Sequence, residues 1–228
     1  LDPLPRADRR VEFIHDSLAG LDAELRALGL AHGVEGVGLV VRQGHAIDAI
    51  PALAAELGVQ AVYANHDDDP YAVERDNRVR GRLADAGIVL HTSKDHVIFE
   101  REEVLTGGGT PYSVFTAYKA AWLKKVDPFY LRSYPVGRHA RALAPLPSGV
   151  AGGGVPALEA LGFQRTNLHE LRLPSGAAGA QQLFQDFLAR IDAYRDTRDF
   201  PAVKGPSYLG AHLRFGTVSI RQLAREAH

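Results

Sequence analysis

The chain has 228 residues, of which 46% are hydrophobic and 23% are charged, with a formal net charge of −1. This composition is ordinary for a soluble globular protein and excludes binding to nucleic acid through overall positive charge. No Cys occurs, which excludes disulfides and cysteine nucleophiles, and no apolar run or leader pattern indicates a membrane span or secretion, so we expect the cytoplasm.

The first half of the chain alternates between helical and strand patterns. Apolar residues recur at three- and four-residue steps over residues 8–28, which predicts an amphipathic helix that ends at Gly29. Short β-branched runs predict buried strands, and helices are predicted between them. The strands are Val37–Val41, Gln60–Ala64 and Ile88–His91, and the helices are Ile47–Leu57 and Pro70–Ala86. This alternation predicts an α/β fold with a parallel sheet.

The second half of the chain changes character. A patterned helix is predicted over Tyr112–Val126 and another over Ala178–Tyr194. Between them lies a stretch rich in Pro and Gly, including Gly152, Gly153 and Gly154, that cannot form one regular element. We therefore predict an α/β domain over 1–126, an interdomain linker over 127–177 and the beginning of a helical domain over 178–228.

Three polar motifs in the α/β half have ordinary structural interpretations. The run Gly107–Gly109 lacks the ending of a phosphate loop and is interpreted as a turn. The acidic run Asn65–Asp69 could hold a divalent cation, but it also suits a helix N-terminus with Asp69 as the N-cap. His91 and His96, near the end of the third predicted strand, are interpreted as structural.

Near the C-terminus, Pro206–Gly210 is typical of a helix start, because Pro and Ser suit the first positions of a helix. A helix N-terminus offers unpaired N–H groups and the positive end of the helix dipole, which suit a phosphate. Tyr194 lies one proline-containing loop upstream and could fold over the same ligand. From the residues alone, this segment is a helix cap with a loop, and a phosphate site is one alternative.

Two segments of the chain and the order of its parts resemble the DNA photolyase and cryptochrome family. One segment is Thr110–Lys119 with Trp122, which is similar to the Pro-Tyr-x-Val-Phe-Thr helix of the family. The other runs from Tyr194 through Arg198-Asp199-Phe200-Pro201 to Ser207-Tyr208-Leu209 and Leu213–Ser219. The order of an α/β segment, a long Pro- and Gly-rich linker and then helices is also that of the family. The resemblance implies a Rossmann-like antenna domain, a long linker and the beginning of an all-helical FAD-binding domain.

The resemblance also implies roles for particular residues. Tyr194 would contact FAD, and the segment Ser207, Tyr208, Leu209 and Gly210 would hold its phosphates. Two positions depart from the Thr-Ser-x-Leu-Ser pattern of the family: Pro206 replaces Thr and has neither N–H nor hydroxyl, and Gly210 replaces Ser. Arg198 would contact UV-damaged DNA, while an ion pair with Asp199 or Asp196 is the alternative.

The function implied is light-driven repair of cyclobutane pyrimidine dimers by electron transfer from reduced FAD. The alternatives are a cryptochrome-like blue-light receptor, repair of a (6-4) photoproduct, and an α/β domain without flavin. The resemblance leaves the second antenna chromophore open between a folate, a deazaflavin, a flavin and none. The Gly107–Thr110 loop lacks the Asn and Glu of folate-binding members, which weakens the case for a folate. We also expect a monomer.

The resemblance leads us to expect that the chain is a fragment. The chain begins at Leu1 without Met, and the first strand of the family would precede it. Most of the flavin pocket, the tryptophan electron-transfer chain and the lesion pocket would follow His228. No catalytic residue is therefore predicted within these residues, and the isolated chain is expected to be inactive.

Overall fold

The computed structural model describes residues 4–150 and 154–227. Contacts divide the chain into two compact units, the first formed by Leu1–Val41 and Tyr134–Ser219 and the second by Arg42–Ser133 and Ile220–His228. The helices are α1 (Arg9–Ala31), α2 (Ala46–Glu56), α3 (Pro70–Asp85), α4 (Phe115–Lys125), α5 (Gly176–Leu188), α6 (Tyr194–Thr197), α7 (Gly210–Phe215) and α8 (Ile220–Ala227). Among the described residues, no helix is long and apolar enough to cross a membrane.

The second unit contains a two-stranded parallel sheet. Strands β1 (Ala61–Asn65) and β2 (Val89–Ser93) pair in register, with Ala61 opposite Val89 and Asn65 opposite Ser93. Helix α3 connects the two strands, and its apolar face buries Val79 and Leu83 against α2 and the sheet. The predicted α/β class with a parallel sheet is confirmed. Both strands begin one residue later than predicted, and they end one residue later in β1 and two residues later in β2.

Helix α3 begins as predicted. The Asp69 carboxylate accepts a hydrogen bond of 3.0 Å from the Tyr71 N–H, and Pro70 occupies the first helical turn. Just beyond the C-terminal cap, Gly87 has a φ of +71°, which favours Gly. The helix-cap interpretation of Asp69 is therefore confirmed.

A second apolar cluster of this unit lies between α4, the chain around Phe99 and α8. Five buried residues form it: Ile98, Phe99, Val104, Val126 and Leu131. Ile220 and Ala224 of α8 pack against it. The Arg221 guanidinium, which is 7% exposed, pairs with Asp95. These contacts join α8 to the α/β unit although it lies about a hundred residues further along the chain.

The first unit is organised by α1 and α5, which pack against each other. The buried Ser17 hydroxyl donates to the Phe13 carbonyl at 2.7 Å and accepts from the Gly176 N–H at 3.0 Å. Phe184 of α5 has less than 2% of its surface exposed. A side-chain hydrogen bond and an apolar contact face thus fix the beginning and the middle of α5.

Two predictions about the N-terminal part of this unit are wrong. Val37–Val41 forms no strand, because its backbone bonds elsewhere: the Leu39 N–H donates to the Asp22 carboxylate at 2.7 Å. The backbone N–H groups of a strand normally bond to a neighbouring strand. Here a side chain of α1, Asp22, takes that place for the Leu39 N–H. Helix α1 does not end at Gly29 but continues to Ala31, where Val34 N–H then closes the turn on the Gly29 carbonyl.

The Pro- and Gly-rich stretch is irregular but well anchored. Between Asp127 and Ser175 the described residues form only short 3-10 helices: Val136–Ala142, Glu159–Leu161 and Leu168–Leu171. Gly152 and Gly153 lie outside the described residues. The Glu12 carboxylate of α1 accepts from the Thr166 N–H at 2.7 Å. The division into domains over 1–126, 127–177 and 178–228 stays a prediction.

Candidate functional site

Tyr194 begins the short helix α6 with its ring partly open to solvent, at 38% exposure. The ring meets the Phe187 ring edge-on, with centroids 5.7 Å apart at 87°. The Arg198 guanidinium lies 5.8 Å from the ring centroid on the same helical turn. The aromatic ring is therefore held between an apolar and a cationic neighbour, with part of its surface available to a ligand.

Arg198 ends the same turn of helix. Its backbone N–H donates to the Tyr194 carbonyl at 3.0 Å, and its Nε lies 3.6 Å from an Asp199 carboxylate oxygen. The two side chains are 51% and 78% exposed. The ion pair considered as an alternative is therefore present, but an exposed pair contributes little to stability. Replacing this carboxylate by a phosphate as the partner of the guanidinium would therefore cost little stability.

The chain returns to α6 at Gly205, which is buried. A Cβ added to Gly205 would lie 2.7 Å from the Thr197 carbonyl oxygen, so only Gly allows this approach. The Gly205 carbonyl accepts from Arg190 Nη1 at 2.8 Å, and its N–H donates to the Val203 carbonyl at 2.7 Å. The approach of Gly205 to Thr197 brings the start of the Ser207 segment next to the last residue of α6, the helix that begins at Tyr194.

The segment after Gly205 differs from its prediction in one respect. Helix α7 begins at Gly210, not at Pro206, because Tyr208 has a φ of +58°, which interrupts a right-handed helix. The Ser207 hydroxyl accepts from the Leu209 N–H at 3.4 Å, and Leu209 is buried at 3% exposure. A buried side chain on one side and the Gly205 anchor on the other hold this uncommon turn.

The donor groups of this segment fit an anionic group such as a phosphate. The Ser207 hydroxyl still has its proton to donate. At Gly210, where α7 begins, an added Cβ would meet no atom within 4 Å, so a ligand has room to approach the backbone N–H groups there. Tyr208, which lies between Ser207 and Gly210 in the chain, is 46% exposed. Pro206 contributes no donor. Donor groups and a partly exposed aromatic side chain lie along one short segment, which suits a ligand with both a phosphate and a planar ring, such as a flavin nucleotide.

His212 of α7, which follows this segment, is fully buried and anchors the helix. Its ring meets the Phe13 ring of α1 at 5.1 Å and 72°, and its Nδ1 lies 2.6 Å from the Thr217 hydroxyl. Burial lowers the pKa of His212 and outweighs the opposing effect of the Pro174 carbonyl. The imidazole is therefore neutral at pH 7, and its contact with Phe13 holds α7 against α1.

We expect stability to depend on pH through His212. The pKa of His212 is about 6.5 in the unfolded chain and lower in the folded chain. The unfolded state therefore binds the proton first as pH falls. The free energy of unfolding should thus decrease from pH 7 to pH 5. His212→Leu should make this slope shallower by up to about one proton in urea titrations. Thr217→Val keeps the imidazole and should keep the slope; an unchanged slope in His212→Leu would contradict the assignment.

A separate polar cluster lies at the carboxyl ends of β1 and β2 in the second unit. His66 Nδ1 lies 2.9 Å from a Glu100 carboxylate oxygen, and its Nε2 lies 3.0 Å from the Thr92 hydroxyl. Asp68 pairs with Arg101 at 2.8 Å. No group of three potential ligands for a metal ion occurs among residues 4–150 and 154–227. Within the Asn65–Asp69 run, Asp67 accepts from the Asp69 N–H, Asp68 pairs with Arg101 and Asp69 caps α3.

Two other motifs of the α/β half, the glycine run and His91, make contacts within the protein. The Gly107–Gly109 run forms a closed turn, in which the Thr106 N–H donates to the Thr110 carbonyl and the Gly109 N–H donates to the Thr106 carbonyl, both at 2.9 Å. His91 stacks on Tyr63 with centroids 5.0 Å apart. The interpretation of the glycine run as a turn is confirmed.

Three residues that the sequence analysis missed complete the C-terminal site. Asp186, Arg190 and Gly205 link the end of α5 to the loop that carries the Ser207 segment. The i,i+4 spacing of Asp186 and Arg190 on a predicted helix indicates an ion pair. Nothing in the sequence indicates that the same guanidinium would reach a carbonyl fifteen residues further along.

Comparisons with known proteins place this geometry in context. A family model described as DNA photolyase matches residues 2–140, more than half of the chain. A deoxyribodipyrimidine photo-lyase of Halobacterium salinarum is 34% identical over 229 residues, which covers 97% of this chain and 44% of the relative. The chain thus spans less than half the length of this relative.

Solved structures share the fold. A class III photolyase from Agrobacterium tumefaciens matches with a TM-score of 0.79 and 24% identity, over 97% of this chain and 44% of its own. An archaeal photolyase from Sulfolobus tokodaii, solved with two FAD molecules, matches with a TM-score of 0.66 and 22% identity over the same shares. Both coverages show that these structures extend well beyond the part that this chain matches.

Proposed function

Because this chain belongs to the DNA photolyase family, we propose that the protein containing it is a monomeric cytoplasmic photolyase that repairs cyclobutane pyrimidine dimers in DNA in the light. The observation that carries the proposal is the return of the chain at Gly205, which places the Ser207 segment beside the turn that bears Tyr194 and Arg198. This arrangement supports one site with a phosphate-holding part, an aromatic part and a cationic part.

The cofactor proposed is FAD. The Tyr194 ring would contact it, and Ser207, Tyr208, Leu209 and Gly210 would hold its phosphates through one hydroxyl and backbone N–H groups. The Pro206 position adds no donor, so fewer hydrogen bonds than usual would hold the phosphates. When bound and reduced, FAD supplies the light-driven electron transfer that splits the dimer. The residues of this chain bind and orient the cofactor.

A second chromophore is proposed for the α/β unit. The Gly107–Thr110 loop closes on itself and carries neither the Asn nor the Glu of folate-binding members, which favours a deazaflavin or a flavin over a folate. The archaeal relative with two FAD molecules is consistent with the flavin choice. Heat release and chromatography of the bound chromophores from the purified protein would identify it by absorption spectrum.

The proposed function is tested with an oligonucleotide that carries one thymine dimer. The protein that contains this chain is incubated with it in blue light and in darkness, and intact thymines are counted by chromatography. Repair in light alone is expected. Bound flavin that responds to light without repair would replace the proposal by a cryptochrome-like receptor, and a protein that binds no flavin would remove both.

Arg198 is proposed to contact the DNA backbone near the lesion. Arg198→Ala should weaken binding to damaged duplex and reduce the slope of log affinity against log salt concentration by about 1, since one phosphate contact is lost. Fluorescence anisotropy at several salt concentrations measures both. Arg195→Ala removes a charge from the same helix and should leave the slope near that of the wild type. Equal losses in both variants would indicate general charge attraction instead.

A further inference from the structure

The C-terminal end of α5 carries a charged cluster that holds the loop over residues 199–209. The Asp186 carboxylate accepts from Arg190 Nη2 and from Lys204 Nζ, each at 2.9 Å. Arg190 Nη1 donates to the Gly205 carbonyl at 2.8 Å. Lys204 and Gly205, directly before the Ser207 segment, are therefore bound to the Asp186–Arg190 ion pair at the end of α5.

The same arginine also lies near the aromatic part of the site. Its guanidinium carbon is 5.3 Å from the centroid of the Phe187 ring, and Phe187 meets the Tyr194 ring edge-on at 5.7 Å. The Arg190 side chain is only 20% exposed. One guanidinium thus contacts Gly205 directly and supports Tyr194 through Phe187.

We propose that Arg190 is a positioning residue, which sets the 199–209 loop against the Tyr194 turn so that the Ser207 segment can bind the phosphates of a flavin nucleotide. This inference rests on the proposed function. A planar guanidinium can donate to two acceptors in fixed directions, here the Asp186 carboxylate and the Gly205 carbonyl. A lysine would offer one flexible ammonium in its place.

The charges of the cluster agree with this role. Lys204 and then Arg190 lower the pKa of Asp186, so its carboxylate stays ionised and keeps both donors over the physiological range. The loop is therefore held by contacts that persist in the absence of any ligand. A site arranged before binding loses less conformational entropy when the cofactor arrives.

Helix α1 offers a matched control. Arg26 and Asp22 form an i,i+4 pair of the same kind, with Arg26 Nε 2.8 Å from the carboxylate. This pair lies on another helix of the same unit, and its carboxylate binds the Leu39 N–H instead of the site loop. Its loss tests the general effect of breaking a helical Arg–Asp pair.

The experiment compares Arg190→Gln, Arg190→Lys, Lys204→Gln and Arg26→Gln in the protein that contains this chain. Two quantities are measured: the dissociation constant for FAD added to the flavin-free protein, and hydrogen exchange of the 199–209 amides before FAD is added. Arg190→Gln should raise the dissociation constant about tenfold or more and speed exchange in the loop. Arg190→Lys and Lys204→Gln should do so less, and Arg26→Gln should change neither.

The outcomes separate the two proposals. A wild-type protein that does not bind FAD overturns this inference together with the proposed function. A wild-type protein that binds FAD, with Arg190→Gln binding equally well, overturns this inference alone. If Arg190→Gln does not fold, Lys204→Gln decides, because Lys204 is on the exposed loop: unchanged affinity and unchanged exchange in that variant overturn the inference.

Discussion

Phe184→Ala is expected to lower the free energy of unfolding of this chain by about 3–5 kcal/mol, because the ring is fully buried and its removal leaves a cavity. Phe184 is buried on α5 together with Ala180 and Leu183, and α5 packs against α1. Closely packed neighbours of this kind collapse only in part into the space that is left.

Urea unfolding followed by far-ultraviolet circular dichroism measures this loss. Phe115→Ala is the matched control, because Phe115 is 75% exposed and its truncation should change the free energy of unfolding by no more than about 0.5 kcal/mol. A loss below about 1 kcal/mol in Phe184→Ala would show that α5 is not held by this face.

The fixation of α5 matters for the site because its last turn carries the groups that organise the loop. Asp186 and Phe187 belong to this turn, and Arg190 follows it. Phe184→Ala should therefore weaken FAD binding mainly where the variant is partly unfolded, whereas Arg190→Gln should weaken it in a folded protein. Affinity measured well below the unfolding midpoint separates these two effects.

The α/β part of the fold could be predicted because its signals are local. Strands β1 and β2 are short β-branched runs, and α3 begins at an Asp-Pro pair whose capping chemistry involves neighbouring residues only. The failed strand at Val37–Val41 has the same local pattern. The partner of its Leu39 N–H, the Asp22 carboxylate, and the Leu146 N–H that donates to the carbonyl of the preceding Gly36 are distant in sequence and leave no local signal.

The anchoring of the Pro- and Gly-rich stretch shows the same limit. Burial alone would raise the pKa of Glu12, but hydrogen bonds from Thr166 and Arg165 lower it, so an ionised carboxylate on α1 holds a segment about 150 residues away. The composition of that segment predicts irregular backbone correctly. It contains no information about which helix supplies the buried acceptor.

The candidate site could be predicted only in part for a related reason. Tyr194, Arg198 and Ser207 were found by resemblance to a family pattern, and their roles stay predictions. The contact that joins their two segments is a close approach of Gly205 to Thr197. A glycine in a loop has several explanations in a sequence, and steric closeness to a backbone carbonyl appears only in the folded chain.

Gly205→Ala is expected to disrupt this approach. The added Cβ would lie 2.7 Å from the Thr197 carbonyl oxygen and 2.8 Å from its carbonyl carbon, so the backbone itself must move. Forcing a methyl group into a closely packed contact costs about 1–3 kcal/mol. If that displacement moves the Ser207 segment away from Tyr194, the dissociation constant for FAD should rise about tenfold for each 1.4 kcal/mol lost from binding.

Gly137→Ala is the matched control in the same unit, since a Cβ there would meet no atom within 4 Å and Gly137 lies outside the proposed binding segment. Both substitutions add one methyl group, and neither glycine has a left-handed φ, so the comparison isolates the close approach. FAD titration should separate the two variants by tenfold or more. Equal affinities would mean that the loop adjusts without moving Ser207. In that case the Gly205 contact would serve stability rather than cofactor binding.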